Sequence, residues 1–426
     1  MNNPDLLSAL AAADRRSPGL AGWHATAAAG WAFFVPLSRS IEAGFFVALI
    51  AFAVLRFSAI HRCWWAALRT VPGVCFVAWI LLVVTAGLLR QEPWSWSSSW
   101  PTRQFLIPLL LVPVIHRWRL LLAALSAGAI AASGVCLIES IGVLARGDSL
   151  LEHQSRRGAF VLPIALLASV AMLAGCGWIR RLAGTGATLV SVAALGTTTQ
   201  RSMLVAAAAG LAAFAAMPRV SLAFRAAIAG VLVGGAILAA TVSQWSGAAA
   251  VKFETLWATD GEDSRVGLWQ VTLEESLHRP LIGHGLSAWR PAMEAARDEC
   301  PTCHPVLAIL DRRADLNYAH NTVIDLLFES GLLGTAMLAF GAAWGVRRWF
   351  GRIASEPLAP LAMAMLLATF VGGQFDHLLA RFIPAAITLL LATCTLLPRP
   401  DEAEFSRNGL GAEDDWVDRL LGTRAS

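Results

Sequence analysis

His320 is the side chain in this sequence best placed for proton chemistry. It stands where a long polar stretch meets an apolar run that continues through Leu338. There a ring can exchange protons with water while a helix fixes its neighbours. Imidazole changes charge closer to neutral pH than other ordinary side chains and can take the proton of an attacking hydroxyl. Two other uses stay open at this level: a hydrogen bond to a phosphate, and a plain interfacial histidine at a helix start. Tyr318, the only tyrosine of the chain, either holds a substrate or anchors at the interface. Asn321 follows directly. Asp325 and Glu329 share one helical face, about 6 Å apart along the axis, and are read as groups that orient neighbours.

The cations that could meet an anionic ligand are arginines, because Lys252 is the only lysine. A guanidinium keeps its charge beside lipid and forks onto phosphate oxygens. Arg201 interrupts an apolar stretch between Gln200 and Ser202, and charge at membrane depth is costly enough to mark a pathway or a site. Arg265 opens an amphipathic segment, 264–279, in which Val266, Trp269, Leu273 and Leu277 recur at helical spacing behind Ser264 as N-cap. A cation in the first turn opposes the helix dipole, which points to a nearby anion or to a solvated helix end. Arg290 and the pair Arg156 and Arg157 complete the set; the pair can equally bind anionic head groups. Asp376, His377 and Arg381 could reach the same region. Residues 280–285, with Gly283 and Gly285, should stop the helix in a tight turn that uses positive φ.

The elements that must position these residues are membrane helices. Hydrophobic residues make up 57% of the chain and charged ones 15%, against roughly 25% charged in soluble domains. Apolar runs fall near 20–37, 41–57, 71–89, 104–115, 120–144, 159–178, 187–200, 202–217, 226–243, 320–345, 358–375 and 382–397. That is about twelve spans at the usual span length, although 187–217 could be one long broken helix. Asp14-Arg-Arg16 precedes the first run without a short apolar core and cleavage site, so the first span should stay as an anchor. Arginines cluster in alternate loops (Arg56, Arg62 and Arg69; Arg117 and Arg119; Arg180 and Arg181; Arg219 and Arg225; Arg347, Arg348 and Arg352). By the positive-inside rule those loops are cytoplasmic, which puts 244–319 and His320 outside. The expected organisation is N-terminal spans over 1–243, a loop domain over 244–319, C-terminal spans over 320–397 and a cytoplasmic tail over 398–426. The tryptophan-rich 94–100 reads as an interfacial belt, with sugar stacking as the alternative.

The spacing around His320 resembles the O-antigen ligase family and its relatives, the lipid-linked polysaccharide polymerases and bacterial O-linked oligosaccharyltransferases. His320-Asn321, nine residues, then Gly331-x-x-Gly334 completes the family pattern H-[NSR]-x9-G-x-x-G, and Glu329 fits its E-x-G. The arginine motif departs from it: R-x3-L reads here as Arg265-x3-Trp269. The resemblance implies an all-α, polytopic, GT-C-like glycosyltransferase of the bacterial inner membrane, with a helical periplasmic cap and no cofactor. It implies an undecaprenyl-pyrophosphate-linked glycan as donor, lipid A–core oligosaccharide as acceptor, surrounding membrane lipid, and no nucleic acid. His320 and Arg265 would be catalytic. Arg201, Arg265, Arg290, Arg156 and Arg157 would hold the pyrophosphate, with Tyr318, Asn321, Glu329, Gly331 and Gly334 in support. A polymerase, a protein oligosaccharyltransferase and, outside enzymes, a transporter of an anionic substrate are the competing readings.

Two further motifs lie in the loop. Cys300-Pro-Thr-Cys303-His304 matches the haem c attachment pattern, and a disulfide or two free thiols are the alternatives. Asp260-Gly-Glu-Asp263 is acidic, but such a turn before a helix is an ordinary N-terminal charge arrangement, and no metal is expected there. The topology is open to test. A cysteine placed at Ala308 should label from the periplasm and one at Ser355 from the cytoplasm; labelling of position 308 only from inside would overturn the orientation.

Overall fold

The computed structural model describes residues 4–89, 106–107, 109–146, 161–173, 177–197, 201–217, 224–226, 228–234, 265–286, 288–300, 302–312, 316–350 and 358–374. Outside them lie the tryptophan-rich 94–100, Arg156, Arg157, Asp260, Asp263, Ser264, Asp376, His377, Arg381, the run at 382–397 and the tail. The described elements are helical, without a strand among the described residues. By length and composition, Leu109–Val143 and Thr322–Arg347 can each cross a membrane, and Ser40–Leu55 with Phe57–Leu68 forms a further apolar pair bent by 101°. Val71–Gly87, Leu162–Leu173, Met203–Ala216 and Ala359–Gly373 are shorter apolar helices.

The N-terminal part consists of α1 (Pro4–Arg16), α2 (Pro18–Phe34), α3 (Arg39–Leu55), α4 (Phe57–Leu68) and α5 (Val71–Leu89). The runs at 104–115 and 120–144, read as two spans, are one continuous helix over Leu109–Val143. Arg117 and Arg119 do not mark a loop. Instead the helix tightens into a 3-10 stretch, Val112–Arg117, before α6 (Trp118–Ala145). That tightening turns His116 and Arg117 towards Asp14, whose Oδ2 lies 3.0 Å from His116 Nε2 and 3.6 Å from Arg117 Nη2. The other carboxylate oxygen accepts from Arg56 Nη2 at 2.7 Å, and the Arg56 side chain is fully buried. Arg56 Nε donates to Ser17 Oγ at 3.1 Å, and its Nη1 lies 3.3 Å from His24 Nδ1. Arginine cannot accept, so His24 Nδ1 is the acceptor and Nε2–H donates to Leu110 O at 3.1 Å. Burial would raise the Asp14 carboxyl, but the hydrogen bonds and charges of His116 and Arg56 outweigh it and hold it below the ordinary carboxylate value.

A second apolar cluster joins α6 to α7 (Leu162–Leu173), α8 (Trp178–Thr197), α9 (Arg201–Ala216) and the last described helix. In the 187–217 region the described helices are α8 and α9, and residues 198–200 between them lie outside the described residues. A third cluster gathers α10 (Arg265–Ser276), α11 (Trp289–Glu299), the turn Pro305–Arg312 and the first half of α12 (Thr322–Phe350). α13 (Ala359–Gly373) closes the described chain. On α10 the buried face is Gly267, Leu268, Val271 and Thr272, whereas Leu273 and Leu277 are 40% and 74% exposed. The Leu273 and Leu277 end of the expected apolar stripe thus faces away from the cluster, while Trp269 packs against it. Periodicity locates a stripe but not its environment, and the polar Thr272 is buried without loss because its hydroxyl donates to Leu268 O at 2.7 Å and accepts from Trp289 Nε1 at 2.9 Å.

α12 is broken at Gly331 (φ 62°, ψ −170°), a conformation essentially confined to glycine. The break is filled by the 280–285 turn. In an unbroken helix Leu332 N would donate to Phe328 O and Leu333 N to Glu329 O. Here Leu332 N donates to Pro280 O at 2.8 Å and Leu333 N to Leu281 O at 3.1 Å. The vacated carbonyls of Phe328 and Glu329 accept from His284 N and Gly285 N at 2.8 and 2.9 Å. Two lost ladder bonds are replaced by four bonds to another segment, so the two N–H groups and two carbonyls freed by the break are all paired again. The His284 ring seals the joint, stacked on Phe328 with centroids 4.4 Å apart and its Nε2 bonded to Glu275 O at 2.9 Å.

The approach is close enough to exclude a Cβ. One on Gly283 (φ 72°) would fall on the backbone of Glu329 and Gly331, and one on Gly331 would fall on Leu281. Gly283→Ala and Gly331→Ala should each cost about 2 kcal/mol or more of stability. Gly22→Ala, where nothing lies within 4 Å, should be near neutral, as read from thermal unfolding in detergent.

Candidate active site

His320 is the only non-glycine residue with positive φ among the described residues, at 61°. That conformation costs a side-chain-bearing residue about 1–2 kcal/mol, so its neighbours must hold it. They do so from both sides. Ala319, fully buried, has its N–H bonded to Asp325 Oδ1 at 2.7 Å and its carbonyl bonded to Trp269 Nε1 at 3.0 Å. After the histidine, Asn321 is the N-cap of α12: its Oδ1 accepts from Val323 N and Ile324 N at 3.0 and 3.2 Å. Its Nδ2 donates to Gln374 O at 3.0 Å, and its own carbonyl accepts from Asp325 N at 2.8 Å. The His320 ring is half-buried and meets Tyr318 edge-on, with centroids 4.7 Å apart.

These bonds bring most of the expected residues to one place. Arg265 and Trp269 are four apart on α10, hence neighbours on one face about 6 Å apart along the axis. The Trp269 bond to Ala319 therefore puts the half-buried Arg265 one turn from the His320 loop. Arg201 starts α9, which packs against α13: a Cβ on Gly372 would touch Ala206 and come within 3.7 Å of Met203. Gln374, two residues beyond Gly372, carries the carbonyl that binds Asn321. The α9 start thus lies at the level of His320, although the Arg201 side chain is outside the description. Glu329 is buried at the Gly331 break. A Cβ on Gly334 would strike the Ser330 side chain and approach Trp79 of α5 to 3.2 Å, so this glycine sets how closely α12 packs on α5.

Arg290 reaches the same neighbourhood from α11. Its Nε donates to Glu294 Oε1 at 2.7 Å, Nη1 to Leu316 O and Nη2 to Leu310 O, both at 3.2 Å. The fork clamps the stretch leading into Tyr318 and His320. Cys300 and Cys303 form a disulfide at the end of α11, which settles the three readings of that motif. Sequence reasoning missed the Trp269 indole and the Gln374 carbonyl; the tryptophan in place of leucine four residues after Arg265 was the available signal for the first.

Residues 185–339 match the family described as O-Antigen ligase (Wzy_C). The matched stretch includes Arg201, Arg265, Arg290, His320, Glu329, Gly331 and Gly334. This segment of the chain is therefore a domain of the O-antigen ligase family. The apolar helices mark a membrane protein, and the matched segment is similar to ligases and polymerases of the glycosyltransferase-like type. The family implies a lipid-linked glycan and lipid A–core as the general kinds of partner. No curated protein matches the chain.

Arg290→Lys keeps the charge but loses the planar fork to two carbonyls. It should lower stability by about 1–3 kcal/mol, measured by denaturant unfolding of the solubilised protein; an unchanged midpoint would remove the clamp.

Proposed function

We propose that the protein is a ligase that moves O-antigen polysaccharide from undecaprenyl pyrophosphate to lipid A–core oligosaccharide at the periplasmic face of the inner membrane. The observation that carries this reading is the bond from Trp269 to the carbonyl of Ala319. It ties the helix headed by Arg265 to the loop that holds His320, inside the family-matched segment. A base and a forked cation then converge at the polar end of an apolar helix, where a lipid-linked pyrophosphate would meet a sugar hydroxyl.

In the reaction the acceptor hydroxyl oxygen attacks the anomeric carbon of the donor sugar. His320 takes the hydroxyl proton, and the bond from that carbon to the pyrophosphate oxygen breaks on the opposite face, inverting the centre. Undecaprenyl pyrophosphate leaves with the electron pair. Its growing charge needs donors already in place, and Arg265 and Arg201 supply them. Arg290 already binds two carbonyls of the preceding stretch, which supports holding the loop above binding the donor. Arg156 and Arg157 stay in the proposal as a second, outer pair. Glu329, Gly331 and Gly334 support the site by fixing α12.

The test is transfer of glycan by the purified protein from undecaprenyl pyrophosphate to lipid A–core, without an energy source. Transfer should survive excess EDTA. His320→Ala should abolish it, and Arg265→Lys should restore only part of what Arg265→Ala loses, because ammonium lacks the fork. Near-wild-type transfer by His320→Ala would remove the base. A product in which two lipid-linked repeats are joined, with lipid A–core untouched, would make the protein a polymerase.

A further inference from the structure

Three side chains from separate places in the sequence bracket His320 through bonds to the main chain. Trp269 belongs to α10, Asp325 to the first turn of α12, and Asn321 links that helix end to Gln374 beyond α13. Their bonds fall on the backbone on either side of the histidine. The carbonyl of Ala319 belongs to the peptide unit that leads into His320, so the indole N–H fixes the plane about which φ turns. The Asp325 carboxylate fixes the preceding peptide unit through Ala319 N. Asn321, bonded through both ends of its side chain, fixes the chain on the far side. A residue at φ 61° relaxes to an ordinary negative φ when one bracket is released, and the imidazole then swings to another direction.

We propose that Trp269, Asp325 and Asn321 are positioning residues that hold His320 in the left-handed conformation and thereby set the direction in which its imidazole faces the acceptor hydroxyl. The proposal deepens the transferase reading and rests on it for the identity of the reaction, but the bracketing itself is independent of what is transferred. Trp269 is the most informative member. The indole combines a ring that packs against the α10–α11 cluster with an N–H that spans from that cluster to the loop. Replacing it by a purely apolar side chain keeps the packing and loses the direction.

The experiment uses the full-length protein in detergent and has two arms. Trp269→Phe keeps the aromatic bulk and removes the donor; Asp325→Ala removes the acceptor, and Asp325→Asn retains one. In the transfer assay Trp269→Phe and Asp325→Ala should lower kcat by roughly 10- to 100-fold, the scale of a small misplacement of a reacting group. KM for the lipid-linked donor should stay unchanged, and Asp325→Asn should restore most of the Asp325→Ala loss. In the second arm, hydrogen–deuterium exchange over 318–324 should rise in Trp269→Phe and Asp325→Ala, while α7 and α13 keep their protection. Wild-type kcat together with unchanged exchange in both variants overturns the proposal. So does a uniform rise in exchange across α7 and α13, which would make the bonds general supports of stability. If the wild-type protein transfers no glycan, the transferase reading fails, and the exchange arm still decides whether the brackets hold His320.

Discussion

The structure depends on the repair of one broken helix. An apolar helix that loses backbone bonds in a membrane setting leaves polar groups with nothing to pair with, a cost of several kcal/mol for each. Gly331 breaks α12, and the 280–285 turn restores the pairing with four bonds in place of two. The first half of α12 is thereby freed from the axis of the second half and joins the apolar cluster of α10 and α11, with Phe328 fully buried in it. The site then belongs to the polar layer while remaining attached to an apolar helix that packs on α5. Gly283 and Gly331 are where this arrangement touches backbone to backbone, which explains the glycine at each in terms of space as well as φ.

The same joint shows how the proposed base and its proposed cations can share a site although they come from distant parts of the chain. His320 lies on a loop clamped by Arg290, bracketed by Trp269 and Asp325, and tied through Asn321 to the end of α13. α13 in turn packs on α9, whose first residue is Arg201. Most of these links are hydrogen bonds between helix side chains and the main chain of the loop, so the helices fix where the loop lies. Such preorganisation is what electrostatic stabilisation of a leaving group requires, because dipoles and charges fixed beforehand need not reorganise during the reaction.

The sequence made some of this legible and hid the rest for identifiable reasons. Long apolar runs and a scarcity of charge pointed to the all-α membrane class, and the His320-Asn321, Gly331 and Gly334 spacing pointed to the family. Periodicity found the α10 stripe but not what its Leu273 and Leu277 end faces, because an amphipathic pattern looks the same whether the apolar side meets protein or another medium. Arg117 and Arg119 read as a loop, since charges usually end spans; the Asp14 carboxylate, about a hundred residues away in sequence, lets the helix run through. The glycine break was visible as two glycines in an apolar run, but the segment that fills it could not be named, because backbone-to-backbone pairing leaves almost no mark on side-chain identity. Trp269 was visible as a departure from the leucine of the family pattern, and its partner, a main-chain carbonyl, was not.

The buried knot at Asp14 has a consequence for the order in which the chain can be made. Asp14 and Arg56 emerge early and can pair with each other, yet His116 and Arg117 reach the same carboxylate only after the ribosome has added a further stretch of about sixty residues. Until then the fully desolvated Arg56 site is incomplete, and removing one member of a buried ionic group costs about 3–5 kcal/mol. The first four helices must therefore wait, loosely associated, for the long helix that follows them. Final packing of the N-terminal helices is thus locked only when the 3-10 stretch brings His116 and Arg117 to Asp14.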